Sequence, residues 1–150
     1  MGKIVILRGE FEHSSKAMTT ETVLPKDRHP VIRTTTTPSD ANPGGDIFGG
    51  WLLAQMDVAG GVCAFAYVRN RIVTVGVEAM SFHQPVFVGD EVFFYADIQR
   101  VGKTSIAVKI EAWAKRKNTS EIIHVTDGIY TYVSIGPDRN PQEIAITAHA

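Results

Sequence analysis

A chain of 150 residues, 44% hydrophobic and 21% charged, fits one domain and is long enough to close a core without disulfides or a structural metal. Its formal net charge of -1 lacks the strongly basic balance of a dedicated nucleic-acid binder. The single cysteine, Cys63, excludes an intramolecular disulfide framework and a multi-cysteine zinc site, and suits a reducing compartment, so the cytoplasm is the expected location.

The first segment, MGKIVILRGEFEHSSKAM, carries one short apolar run, Ile4 to Leu7. That run is too brief for a secretory signal and no small-residue cleavage site follows it, so no export is expected. Met18 is an equally good start, which leaves open whether residues 1–17 are native. Residues 1–30 are read as an extended or disordered N-terminal segment. Val31 and Ile32, leading into Arg33 and four threonines, predict a short first strand because β-branched residues suit a pleated surface. From Pro38 to Gly50, PSDANPGGDIFGG is too dense in glycine, proline, Asn and Asp for any regular element, and a loop is expected.

Trp51 to Val68 places Leu52, Gln55, Met56, Ala59, Cys63 and Ala66 at steps of three and four, the helical period. Only Gln55 and Asp57 are strongly polar. A helix apolar nearly all round is enclosed on most sides. Asp57 and the Gly60–Gly61 pair argue against a membrane span, and the glycines predict that something packs close to the backbone. Four strand patterns follow. Ile72 to Phe82 is β-branched early on, Val92 to Gln99 and Val108 to Lys115 alternate apolar and polar residues, and Ile122 to Ser134 forms the last run. Pro85 to Asp90, Gly102–Lys103 and Asn118 to Ser120 are short connections compatible with antiparallel neighbours. The order strand, helix, four strands predicts a two-layer α+β domain over residues 31–135, with the helix lying across the sheet. Residues 136–150 are read as a C-terminal tail.

Familiar catalytic signatures fail. Gly102–Lys103–Thr104 mimics the end of a P-loop, but Asp97 stands where a glycine is required and the triplet joins two strands. No G-x-S-x-G, H-E-x-x-H or C-x-x-C occurs. His83 and His124 fall in or beside strands and receive no role, so no metal-ligand set is expected. Cys63 is read as packing. What remains is Asp46 in Gly44-Gly45-Asp46-Ile47-Phe48-Gly49-Gly50, just before the helix. There a carboxylate lies beside unpaired N–H groups able to hold an oxyanion, with glycines that admit a ligand to the backbone. That arrangement suits acyl transfer; the alternative is that Asp46 caps the helix.

The run Asn42-Pro43-Gly44-Gly45-Asp46-Ile47-Phe48-Gly49-Gly50-Trp51-Leu52, followed by Gln55-Met56-Asp57, resembles the helix entrance of hotdog-fold acyl-CoA thioesterases of the YciA type and the related brain acyl-CoA hydrolase. Arg71 to Val75, Met80 to Phe82, Pro85–Val86 with Gly89–Asp90, Val101 to Ser105 and Val125 to Asp127 match in register, so the similarity spans about residues 31 to 135, a full domain. The resemblance implies a hotdog fold, a long central helix wrapped by a five-stranded antiparallel sheet in the order β-α-β-β-β-β. It implies hydrolysis of short- to long-chain acyl-CoA to a free fatty acid and CoA, with Asp46 as general base or nucleophile and the N–H groups near Gly49 and Gly50 as the oxyanion site. It further implies sites at a dimer interface, with dimers assembling into a trimer of dimers, a hexamer. No cofactor is expected beyond coenzyme A as part of substrate and product, and neither nucleic acid nor membrane insertion is expected.

The phosphates of CoA call for basic groups. Arg100 and Lys103 with the hydroxyls of Thr104 and Ser105, clustered around one turn, are the candidates, with Arg69 and Arg71 as a second choice. Asn42 shapes the loop and joins the substrate-binding set. Asp57, Glu78 and Asp127 are read as structural, while Phe48, Trp51 and Phe82 either line the acyl pocket or belong to the core. Two alternatives stand beside hydrolysis: a non-catalytic acyl-CoA or nucleotide-binding module, and a hotdog dehydratase or hydratase. The second wants a histidine on the helix, and the helix has none.

Overall fold

Alternation in the second half of the chain and helical spacing in the first produce the elements in the expected order: β1 (Ile32–Thr35), α1 (Gly49–Tyr67), β2 (Arg71–Phe82), β3 (Glu91–Val101), β4 (Ser105–Lys115) and β5 (Ile122–Ile135). The computed structural model describes residues 22–146. The expectations for Met1 to Met18, including the alternative start, lie outside the described residues. The loop reading of residues 38–50 is corrected at both ends. Pro38–Asp40 forms one turn of 3-10 helix, closed by Asp40 accepting hydrogen bonds from the Thr37 backbone N–H at 2.8 Å and hydroxyl at 2.9 Å. Gly49 and Gly50 already belong to the α-helix.

All pairings are antiparallel, in the order β1-β3-β4-β5-β2. The reading of Pro85 to Asp90 as a link between neighbours is therefore overturned, since β2 pairs with β5 and not with β3. The connection, residues 83–90, instead passes over the start of the helix, where the Ile47 N–H donates to the Val86 carbonyl at 2.8 Å. A short linker can make that crossing because the sheet curls. Register shifts in the β2–β5, β3–β4 and β4–β5 pairs insert unpaired residues that bend strands around α1.

Leu52, Met56, Ala59, Gly60 and Ala64 form the buried stripe of α1. They pack on Val92 and Phe94 of β3, Val108, Ile110 and Ala112 of β4, and Val125, Tyr130 and Tyr132 of β5. Two phenols fix the helix on the sheet: Tyr130 donates to the Leu53 carbonyl at 3.0 Å and Tyr132 to that of Asp57 at 2.8 Å. Burial raises the pKa of both. Gly60 gives the close approach expected of the glycine pair, since a Cβ there would lie 2.6 Å from Ile110 Cδ1 and closer still to the Tyr132 hydroxyl. Gly61 has no such neighbour. Enclosure of the helix on most sides is not met within one chain, because Val58, Val62 and Phe65 on its outer face are 55%, 53% and 54% exposed.

The ends of the described chain are tied to this body. Arg28 pairs with Asp97 and Glu111. In the tail, the Ile144 N–H donates to the Lys103 carbonyl at 2.9 Å, and the Ala145 N–H to Asn70 Oδ1 at 2.7 Å. Among the described residues no helix is long and apolar enough to cross a membrane.

Candidate active site

The segment before the helix is a small backbone lattice. The Asn42 N–H donates to the Asp46 carbonyl at 2.7 Å, and the Gly45 N–H to the Asn42 carbonyl at 3.0 Å. In return Asn42 Oδ1 accepts from the Asp46 N–H at 3.2 Å. Gly45 sits at φ 93, a conformation that side chains disfavour, so glycine is needed for this turn. Beyond it, Ala41 bridges Ile47, and Asp46 bridges Phe87 in the β2–β3 connection. Ile47 is buried and anchors the strip from below.

The Asp46 side chain stays exposed and accepts no hydrogen bond from the described residues. The capping alternative finds no support, because the N-cap is Phe48 and no side chain caps the helix. Gly49 and Gly50, the first two helical residues, point N–H groups outward with no intrahelical acceptor. A Cβ on Gly50 would meet nothing within 4 Å, and the Phe82 ring borders Gly49 at 3.8 Å from such an atom. Phe48, two residues along the chain from Asp46, and Phe87, across the bridge from it, are 49% and 41% exposed. Trp51 is half-buried against Phe94, with ring centroids 6.3 Å apart, and belongs to the core.

The remaining candidates fall elsewhere. Arg100, Lys103, Thr104 and Ser105 do share one turn, closed by the Gly102 N–H donating to the Ser105 carbonyl at 2.7 Å. That turn is at the far end of β3 from Asp46, and eleven residues of strand span roughly 33 Å. Arg71 lies at the turn's end of the sheet, since it faces Ile135 while Ser105 faces Val133. The structure thus brings Asn42, Asp46, Gly49 and Gly50 together at one end, and Arg71 with the 100–105 turn at the other.

Cys63 is half-buried, its thiol donating to the Ala96 carbonyl at 3.6 Å, and burial raises its pKa. This is a packing thiol, as read. Asp57 accepts from the Thr74 hydroxyl at 2.6 Å and is a structural link. The sequence reading missed the partnership of Asp90 with Arg116, which fixes the connection that Asp46 bridges; Arg116 also donates to the Pro85 carbonyl at 2.9 Å. Its one visible signal is an aspartate next to a turn glycine, Gly89 at φ 88.

A carboxylate at the glycine-opened start of a long helix, on a curled antiparallel sheet, defines a class, and the chain belongs to the thioesterase superfamily, whose family model matches residues 44–121. More particularly, it aligns with the acyl-CoA thioester hydrolase YciA of Salmonella typhimurium, 42% identical over 119 residues, covering 77% of this chain and 90% of that one. YciA of Escherichia coli K12 is 40% identical over the same shares. Among solved structures, the hexameric thioesterase of Yersinia pestis is 40% identical with a TM-score of 0.75, covering 81% of this chain and 98% of that one. The hexameric hotdog fold thioesterase of Campylobacter jejuni is 38% identical with a TM-score of 0.74, covering 80% and 93%.

Proposed function

We propose that this thioesterase hydrolyses acyl-CoA to a free fatty acid and CoA, with Asp46 as the reacting carboxylate. The observation that carries the reading is the Asp46 carboxylate, without a hydrogen-bond partner among the described residues, just upstream of Gly49 and Gly50, whose N–H groups have no intrahelical acceptor. The thioester carbonyl oxygen would sit on those N–H groups, where each donor is worth about 3 to 4 kcal/mol to the tetrahedral intermediate. Asp46 would then either take a proton from the attacking water or add to the carbonyl itself, with CoA leaving as the thiol. Exposed Phe48 and Phe87 offer an apolar wall for acyl chains from short to long. No cofactor enters the reaction except CoA as part of substrate and product.

The separation of the candidates argues for a two-chain site. Among the described residues the outer edge of β2 is unpaired, and Val75 and Val77 on it are 58% and 43% exposed. An antiparallel pairing of two such edges about the middle of β2 sets the Arg71 end of one copy beside the Phe82 end of the other. The partner subunit's Arg71 would then meet the CoA phosphates near Asp46, with Arg100, Lys103, Thr104 and Ser105 as the further phosphate set. Three such dimers would make the hexamer. The lone, half-buried cysteine fits a cytoplasmic setting.

Thiol release from a panel of acyl-CoAs tests the reading. Asp46→Asn should lower kcat by about 1,000-fold, in the range of a lost acid–base or nucleophilic group, with KM little changed. Undiminished release by the variant removes Asp46 from the mechanism. After single turnover in ¹⁸O-water, label in the Asp46 carboxylate establishes attack by Asp46 itself, with water opening the mixed anhydride at the aspartyl carbonyl, because the general-base route puts the water oxygen only in the released acid.

A further inference from the structure

His83, His124 and Asp127 each present one ligand atom, and these atoms all lie within 4.8 Å of one another. They come from the end of β2 and from β5, far apart in sequence, so no local motif announces them. In a regular strand, residues three apart point to opposite faces. Here the register shift in the β4–β5 pair, where Ala112 faces Thr126 but Trp113 faces His124, leaves Val125 as an extra residue. The bulge turns His124 and Asp127 toward the same face. The His83 backbone N–H donates to the Val125 carbonyl at 2.8 Å, which brings the second imidazole of the cluster against that bulge.

The chemistry of the three is that of a metal site. His83 Nε2 and Asp127 Oδ1 are 3.9 Å apart. Ligand atoms around a tetrahedral zinc with bonds of about 2.0 to 2.1 Å stand roughly 3.3 Å apart. His83 and Asp127, with side chains 50% and 39% exposed, have room for the small rotations that close the gap. His124 is the fixed member, its ring packed against Trp113 at a tilt of 31° with centroids 4.7 Å apart. Its Nε2 is shut off from solvent and has no hydrogen-bond partner among the described residues, which costs free energy unless something binds there. The cluster borders a cleft of about 570 Å³ lined by Gln84, Arg116 and Glu121 as well as the two histidines. Arg116 turns its charge away, to Asp90 and the Pro85 carbonyl.

We propose that His83, His124 and Asp127 bind a divalent transition-metal ion of the zinc, cobalt or nickel kind, which ties the end of β2 to β5. Two imidazoles and a carboxylate suit those ions and not the all-oxygen preference of magnesium or calcium. The site shares no residue with the thioester chemistry assigned to Asp46, Gly49 and Gly50. It acts on the fold through Phe82, next to His83, whose ring borders Gly49 at the start of α1.

The test is titration of the tag-free, full-length, chelator-treated protein with Co²⁺ and Zn²⁺, followed by visible absorption and calorimetry. One Co²⁺ per chain should bind with ligand-field bands of an imidazole–carboxylate site, and Zn²⁺ should displace it. His83→Gln and Asp127→Asn, at half-exposed positions, should each weaken binding by more than the roughly 10- to 100-fold lost when an outer-shell partner is removed, with circular dichroism unchanged. Absence of binding by the native chain overturns the proposal, as does binding of equal strength and stoichiometry by both variants.

Discussion

The guanidinium of Arg116 is paired with the carboxylate of Asp90 in a place where neither is well hydrated, the side chains being 14% and 3% exposed. Arg116 also covers the Phe87 ring, 4.3 Å from its centroid, and Asp90 accepts the Phe87 N–H at 2.9 Å. Removing one partner of such a pair strands the other charge. Arg116→Met should therefore cost about 3 to 5 kcal/mol, read as a lower urea midpoint. The double change Asp90→Asn with Arg116→Met should cost less than Arg116→Met alone, because no buried charge is left over.

Gly60→Ala should destabilise by about 1 to 3 kcal/mol, the usual cost of forcing atoms into a filled core. The new methyl meets the Tyr132 hydroxyl and Ile110 Cδ1. Adding Tyr132→Phe removes one of the two obstructions, so the double variant should melt above the sum of the single losses. Equal, additive losses would mean that the hydroxyl is not what Gly60 accommodates.

The β2 edge should carry the assembly. Val75→Asp places a charge at an exposed position of the edge strand β2, a device that blocks edge-to-edge pairing. Light scattering should then show smaller particles than the native protein, and thiol release should fall with them. An assembly of native size with native turnover would refute the edge pairing.

Stability should decline in alkali. Burial raises the pKa of Cys63, Tyr130 and Tyr132 in the folded chain. Their contribution is complete below the ordinary thiol and phenol range, about 8.5 and 10. It is lost as pH climbs from those values toward the folded ones, because the unfolded chain releases its protons first. Urea midpoints measured between pH 7 and 11 should fall monotonically above about pH 8.5. Cys63 should also resist alkylation until the chain unfolds.

Much of this architecture was legible because its signals are local. Residues alternating from Val92 to Gln99 became β3, and spacing by three and four from Leu52 to Ala59 became the inner face of α1. The glycine cluster around Asp46 marked the helix entrance, since only a turn at positive φ and an uncapped helix need so many. Partner choice was not legible. A short linker from Phe82 to Glu91 says nothing of the curl that carries it across to β3, and that curl depends on bulges whose positions have no composition signature. For the same reason the sequence placed Arg100 to Ser105 with Asp46 by chemistry, while one subunit holds them at opposite ends. Arg116 was invisible because its role comes from Asp90, on the other side of β3.

Position 46 is set by main-chain bonds on both flanks, to Asn42 on one side and through Phe87 and Val86 on the other. Those bonds ignore what side chain is mounted there. The scaffold therefore works as a socket that delivers whatever group occupies it to the same spot beside the helix tip. New reactivity can be fitted by exchanging a single residue, with no need to rebuild the frame that holds it.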